Sequence, residues 1–308
     1  MTPASKTILF FGTEDFSALT LEALIAHDFH IGAIITKPDA RRGRHGTLSK
    51  PRVKEIGEAH GIPVWQPTKL SDIAGDIVQF DSPIGVLVSF GKIIPQSIID
   101  LFNPGIINLH PSLLPKYRGP SPIEAAILNG DEATGISIMQ LSAAMDAGPV
   151  YLQESHPLSK TETSPELYDT LGRRGSDILT HALPRIFDGT LLPHPQQDEL
   201  ASYCSLISKQ DGMIDWSKPA LQLEREIRAY LDWPGSRATL GDIELIITCA
   251  QVTAGSFGTP GEMKAPSDDT LLVQTGEQTL RLLAVKPVGK KEMPIQAFLA
   301  GYSHKLFN

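Results

Sequence analysis

Two polar side chains stand one residue apart in an otherwise apolar run: Asn108 and His110, in the segment IINLHPSLLPKYRGPSPIEAAI. On a strand, side chains alternate with a period of two, so both point to one face and reach one spot. A carboxamide supplies two N–H donors, and an imidazole titrates near neutrality. Pro111 and Pro115 fix the direction of the chain immediately afterwards. A third group, Asp146, sits among small residues in AAMDAGP, where backbone can approach a ligand closely. An amide donor, an imidazole and an aspartate suit acyl transfer without a protein nucleophile. Asn108 would hold the oxyanion of a tetrahedral intermediate, an interaction worth about 3–4 kcal/mol. His110, paired with Asp146, would stabilise the same oxyanion and help move protons, which typically contributes about 10²–10⁴ in rate. Taken alone, an Asn-x-His pair in a strand is more often a hydrogen-bonded turn, so the surrounding sequence has to decide.

Strands and helices must bring these groups together. TILFFG, IGAIIT, a short IPVWQP, IGVLVSFG and GIINLH read as five strands, the longer ones continuous apolar runs of the kind buried on both faces. DFSALTLEALIAHD and PRVKEIGEAHG, the latter closed by Gly61, read as helices between them. Strand and helix in alternation imply an α/β fold: a Rossmann-like, mostly parallel sheet with helices on both faces, binding ligands at the strands' carboxyl ends. FGTEDF is no dinucleotide fingerprint, because only Gly12 is glycine and Glu14 and Asp15 would repel a phosphate. TGISIMQLS and GPVYLQESHPL add two strands around AAMDAG, and a helix starts near Ser164 and ends before Gly189. GTLLPHPQQDELASY reads as a linker. Beyond it, the helix PALQLEREIRAYL and the short runs SRATL, IELIITC, GEMKA, TLLVQT and TLRLLAV suggest a small OB-like β-barrel. The expected division is a catalytic domain at 1–189, a linker at 190–207 and a C-terminal domain at 208–308.

The chain has 308 residues, 41% hydrophobic and 20% charged, which gives room for two domains of ordinary globular composition. No apolar run approaches the roughly 18 residues of a membrane helix. MTPASKTILFFG lacks a signal peptide's order. Cys204 and Cys249 are too few for a disulfide framework or a zinc site. A cytoplasmic monomer without metal or nucleotide cofactor is expected. The formal charge of −8 argues against a general nucleic-acid coat protein, yet KPDARRGRHGTLSKPRVK, Lys37 to Lys54, holds seven Lys/Arg against Asp39 alone. Gly43, Gly46, Pro38 and Pro51 should keep that loop out of regular structure.

The segment INLHPSLLPKYRGPSPIEAAILNGDEATGISIMQLSAAMDAGPVY resembles the core of formyltransferases that use 10-formyltetrahydrofolate. FGTEDFS, ITKPDARRGRHGTLSKPRVKE, VLVSFGKIIP, IDWSK, IRAYLDWPGS and KPVGKKEM fall in the order of those family members that act on initiator methionyl-tRNA. The resemblance covers essentially the whole chain. It implies a formyltransferase fold, with Asn108, His110 and Asp146 as the catalytic set. It also implies formyl transfer from the folate donor to the α-amino group of methionine on the tRNA. SLLP (Ser112, Leu113, Leu114 and Pro115) would belong to the folate pocket, and VSFGKIIP, with Phe90, Gly91 and Ile93, would supply more of its wall.

In the family the loop matching 37–54 inserts at the tRNA acceptor end, and Arg41, Arg42, Arg44 and Lys50 are the residues here that could do so. VKPVGKK, with Lys286, Lys290 and Lys291, is either a second contact or a solvated turn. From Lys209 to the C-terminus, eleven Lys/Arg face twelve Asp/Glu, so tRNA binding there would rest on a local patch or be weak and salt-dependent. A nucleotide-sugar formyltransferase or a formyl-folate hydrolase would share the core but not the basic loop and tail. A glycinamide ribonucleotide formyltransferase would end near the core. A non-catalytic RNA-binding OB protein would have no use for the Asn–His–Asp set.

Overall fold

Continuous apolar runs end up at the centre of a sheet, because a strand covered on both faces has no polar side to show. The computed structural model describes residues 6–42 and 47–307. In chain order it begins β1 (Ile8–Gly12), α1 (Asp15–Ala26), β2 (Ile31–Ile35), β3 (Ala40–Arg42), β4 (Thr47–Ser49), α2 (Arg52–His60) and β5 (Val64–Trp65). There follow α3 (Ala74–Ile77), β6 (Ile84–Val88), α4 (Gln96–Ile99), β7 (Ile106–His110), α5 (Pro122–Asn129), β8 (Ala133–Gln140), β9 (Val150–Pro157) and α6 (Ser164–Phe187). Seven of these strands form one sheet in the order β5-β2-β1-β6-β7-β8-β9. The first five run parallel, and β8 and β9 are antiparallel. Chain order reverses between β1 and β6, and a crevice opens at the carboxyl ends of strands where that happens.

Residues of β1, β2, β6 and β7 are almost all buried, whereas β9, at the sheet edge, alternates in exposure. Leu9, Phe11, Ala33, Ile35 and Ile106 cover one face with Ile73, Ile77, Phe90, Ile98 and Phe102. On the opposite face Leu109 of β7 lies against Gly175 of α6, where a Cβ would collide with its side chain. A buried hydrogen bond of 3.0 Å between Thr20 and Ser176 joins α1 to α6. Gly61 closes α2 in the left-handed conformation, as its position in the sequence implies.

Two expectations are corrected. The flanks of the basic loop do form regular structure: β3 and β4 pair as a small antiparallel hairpin, with Arg41 opposite Leu48. The stretch expected as a linker is bonded into the first unit as far as Cys204, through pairs such as His194 with Val150 and Arg118 with Tyr203.

The chain divides into two compact units. One runs to Pro122 and includes Ala133–Pro157 and Tyr168–Cys204, and the other comprises Ile123–Glu132, Leu158–Leu167 and the chain from Ser205 onward. The second unit contains α7 (Ala220–Ala229), β10 (Ser236–Leu240), β11 (Ile243–Thr253), β12 (Met263–Ser267), β13 (Thr270–Gln274), β14 (Thr279–Pro287), β15 (Met293–Pro294) and α8 (Ile295–Leu306). Its strands form an antiparallel sheet in the order β10-β11-β14-β13-β12, with β15 added to β14. An OB barrel is itself partly open, and β10 and β12 are the two ends of this path. Leu223 and Ile227 of α7 and Phe298 and Leu299 of α8 share its core with Leu245, Leu271, Leu280 and Val285. The sequence reading had not separated β15 or α8. Among the described residues no helix is long and apolar enough to cross a membrane.

Phe11 is fully buried and meets Phe90 and Phe102 edge-on, at 5.5 and 5.8 Å between ring centres. Phe11→Ala should cost the first unit about 3–5 kcal/mol, read as a shift of its denaturant-unfolding transition with that of the second unit unmoved.

Candidate active site

The site begins where β7 ends. Asn108 and His110 lie on the same side of the strand as Ile106, each only 5% exposed. Asn108 pairs with Leu87 of β6 and with Met139 of β8, and His110 pairs with Ser137 of β8. Among the described residues nothing hydrogen-bonds the Asn108 carboxamide, so its donors are available to an oxygen brought into the site. Ser137 ties down the chain leaving the strand. Its hydroxyl donates to the Ser112 carbonyl at 2.6 Å and accepts from the Leu114 N–H at 3.0 Å and from Gln153 Nε2 at 2.8 Å. Ser112 Oγ donates to the Lys116 carbonyl at 2.6 Å. The proline-rich exit is therefore held by hydroxyls as well as by ring geometry.

The His110 ring is oriented at both nitrogens. Nε2 lies 3.0 Å from the Tyr117 carbonyl, and a carbonyl only accepts, so Nε2 carries a proton. Nδ1 then faces Asp146 Oδ2 at 3.8 Å. That distance is too long for a good hydrogen bond, but it sets the carboxylate directly beside the ring nitrogen. The same Oδ2 accepts the Gly119 N–H at 2.7 Å. Asp146 has φ of 48°, a left-handed conformation that is uncommon for a residue with a side chain. The arrangement offers amide donors, an imidazole able to take or give a proton at Nδ1, and a carboxylate beside it. These parts serve oxyanion stabilisation and proton transfer in acyl transfer.

The candidate folate residues divide by burial. Phe90 and Leu114 are 1% and 5% exposed, and Phe90 packs in the core cluster beneath the sheet. Ser112 is buried, while Leu113 and Pro115 are half-buried. Gly91 turns left-handed at φ 67°, and Ile93 is 86% exposed.

Of the basic residues, Arg41 and Arg42 lie on β3, with Arg41 exposed. Arg44 falls outside the described residues. Lys50 forms a 2.7 Å ion pair with Glu58, which raises its pKa chiefly through that hydrogen bond. Lys286 is the penultimate residue of β14, and Lys290 and Lys291 follow in the turn to β15, all three exposed. The hairpin base is braced by Lys54, which donates to both Asp39 oxygens at 2.9 Å and to Gln66 at 2.8 Å. Hydrogen bonds from Gln66 and then Lys54 hold the Asp39 carboxyl below its ordinary range.

The sequence reading missed the residues that secure the site: Ser137, Arg118, Gly119 and Gln196. Arg118 and Gly119 fell inside the quoted motif, and their signal was the Arg-Gly pair between prolines. Gln196 sat unmarked in the presumed linker. Burial works against the Arg118 charge, but hydrogen bonds and attraction from Asp198 and Tyr203 outweigh it, and the guanidinium is held above its ordinary value.

Fold and site together define a class. Residues 6–183 match the family described as "Formyl transferase", and residues 206–303 match "Formyl transferase, C-terminal domain". The chain belongs to the formyl transferase family. A methionyl-tRNA formyltransferase of Myxococcus xanthus is 39% identical to it, covering 97% of this chain and 95% of the relative. One of Chloroflexus aurantiacus is also 39% identical, covering 96% of each. These matches place the chain in the methionyl-tRNA formyltransferase branch of the family. The crystal structure of an N-formyltransferase from Helicobacter canadensis, in complex with folinic acid and dTDP-3-aminofucose, shares the fold with a TM-score of 0.68. Its identity is 18%, over 92% of this chain and 99% of that one.

Gly119 has φ of 123°, and an added Cβ would run into the Cys204 carbonyl oxygen. Gly119→Ala should therefore destabilise the first unit by at least about 2 kcal/mol, from overpacking and backbone strain together, measured as a lowered unfolding midpoint.

Proposed function

We propose that this chain transfers a formyl group from 10-formyltetrahydrofolate to the α-amino group of methionyl-initiator tRNA, yielding N-formylmethionyl-tRNA. The observation that carries the reading is the meeting of Asn108, His110 and Asp146 at the end of β7, in a chain that matches methionyl-tRNA formyltransferases along nearly its whole length. A bond forms between the amine nitrogen and the formyl carbon, the bond from that carbon to N10 breaks, and one proton moves from the amine to the departing nitrogen.

Asn108 donates to the formyl oxygen as it gains negative charge, a contact worth most in the transition state. His110 supports the same charge and relays the proton at Nδ1. Asp146 keeps the ring in register and offsets its positive charge. The attacking amine is itself the nucleophile, so Cys204 and Cys249 have no role in the chemistry. Ser112, Leu113, Leu114 and Pro115, with Phe90, Gly91 and Ile93, form the wall on which the donor's flat pterin rests.

Arg41, Arg42, Arg44 and Lys50 of the basic segment meet the acceptor end of the tRNA, and Lys286, Lys290 and Lys291 give a second contact. Arginine suits this task because it can fork onto phosphates and stack on unpaired bases. The unit that carries β7 serves as the catalytic domain, held together with the chain as far as Cys204, and 208–308 serves as the tRNA-binding domain of a cytoplasmic monomer.

Incubation with 10-formyltetrahydrofolate and charged initiator tRNA should give formylmethionyl-tRNA, with charged elongator tRNA a poor substrate. Asn108→Ala and His110→Ala should each lower kcat by about 10²–10⁴ while donor affinity changes little; near-normal turnover in either variant would refute that role. Replacing Arg41 and Arg42 by Ala should raise the KM for tRNA about tenfold or more and weaken the salt dependence of binding, with donor affinity unaltered.

A further inference from the structure

The segment after α6 grips the Asp146 loop from behind. Gln196 Nε2 donates to two carbonyls of that loop, Asp146 O and Gly148 O, each at 2.7 Å. Its Oε1 accepts from Arg118 Nε at 3.1 Å and from Nη2 at 2.9 Å. Because a guanidinium only donates, it fixes which way the Gln196 amide points and keeps both N–H groups toward the loop. Arg118 is 2% exposed and is held in turn by Asp198 at 2.6 Å and by the Tyr203 hydroxyl at 3.3 Å. The next residue, Gly119, supplies the N–H that binds the Asp146 carboxylate. Both the main chain and the side chain of Asp146 are thus tied to the Arg118–Gly119 pair, one tie passing through Gln196.

We infer that Gln196 is a positioning residue for the formyl-transfer centre. It holds a left-handed Asp146 against relaxation, so that the carboxylate stays beside His110 Nδ1, and Arg118 keeps Gln196 in the orientation that does so. This rests on the catalytic role given above to Asp146. A non-glycine residue at positive φ persists only where its surroundings over-determine it. Here the determining contacts come from about fifty residues further along the chain.

Gln196→Glu separates loop holding from segment docking. The carboxylate still accepts from Arg118, more strongly than the amide, but it presents an acceptor to the two loop carbonyls in place of donors. Turnover is expressed per folate-binding site, so unfolded protein drops out of the comparison. The expected result is a fall in kcat of at least about tenfold with KM for donor and tRNA within about twofold, and a loss of less than about twofold when the change is added to Asp146→Asn. Gln196→Met, near in shape but without either hydrogen-bonding group, should behave in the same way. Native kcat in both Gln196 variants, while Asp146→Asn is impaired, would overturn the inference. So would a full loss on top of Asp146→Asn, since Gln196 would then act by another route. An Asp146→Asn enzyme with native turnover would instead overturn the underlying role of Asp146.

Discussion

A carboxylate 3.8 Å from a buried imidazole nitrogen is the contact on which the rest of this molecule depends. Attraction between the two is useful only if neither can drift, because Coulomb energy falls with distance and water entering the gap would screen it. Two backbone groups prevent drift. The Tyr117 carbonyl holds the far side of the ring, the Gly119 N–H holds the carboxylate, and both lie in the loop that leaves β7. The strand thus supplies the imidazole and its own exit loop supplies what aims it. Pro111, Pro115 and Pro120 limit how that loop can move.

The sheet makes this possible by changing direction at the right place. Five parallel strands, four of them almost wholly buried, give a rigid floor whose carboxyl ends open on one side. β8 then runs antiparallel to β7 and sets Ser137 directly opposite His110, where its hydroxyl collects Leu114, Gln153 and Ser112. Had β8 continued parallel, a crossover of a dozen or more residues would have separated it from β7. The loop from β8 to β9 is short enough to carry Asp146 back over the site.

The basic hairpin follows a different plan. Its strands are three residues each and Arg41 is exposed, so these short strands have little packing of their own. What anchors it is the polar brace of Lys54, Asp39 and Gln66 at its base. Basic side chains carried on a fixed base suit contact with a flexible nucleic-acid end, where side chains must adapt to unstacked bases. In the second unit the three exposed lysines cluster at the end of β14 and in the turn after it, a local patch in a domain whose acids and bases nearly balance overall.

The sequence alone determined the parallel strands, the chemistry of Asn108 and His110 and their common face. Continuous apolar runs, proline positions and a period of two are local properties that any strand must obey. It also showed that Asp146 lay in a backbone-dense loop, without saying what that loop would touch. Only the tertiary structure made the supposed linker part of the first unit, paired the flanks of the basic loop and set Gln196 beneath Asp146. The first and last of those outcomes depend on hydrogen bonds between residues about 50–85 positions apart. A polar side chain in a proline-rich stretch looks the same whether it will meet water or a carbonyl, so no periodicity could have announced them.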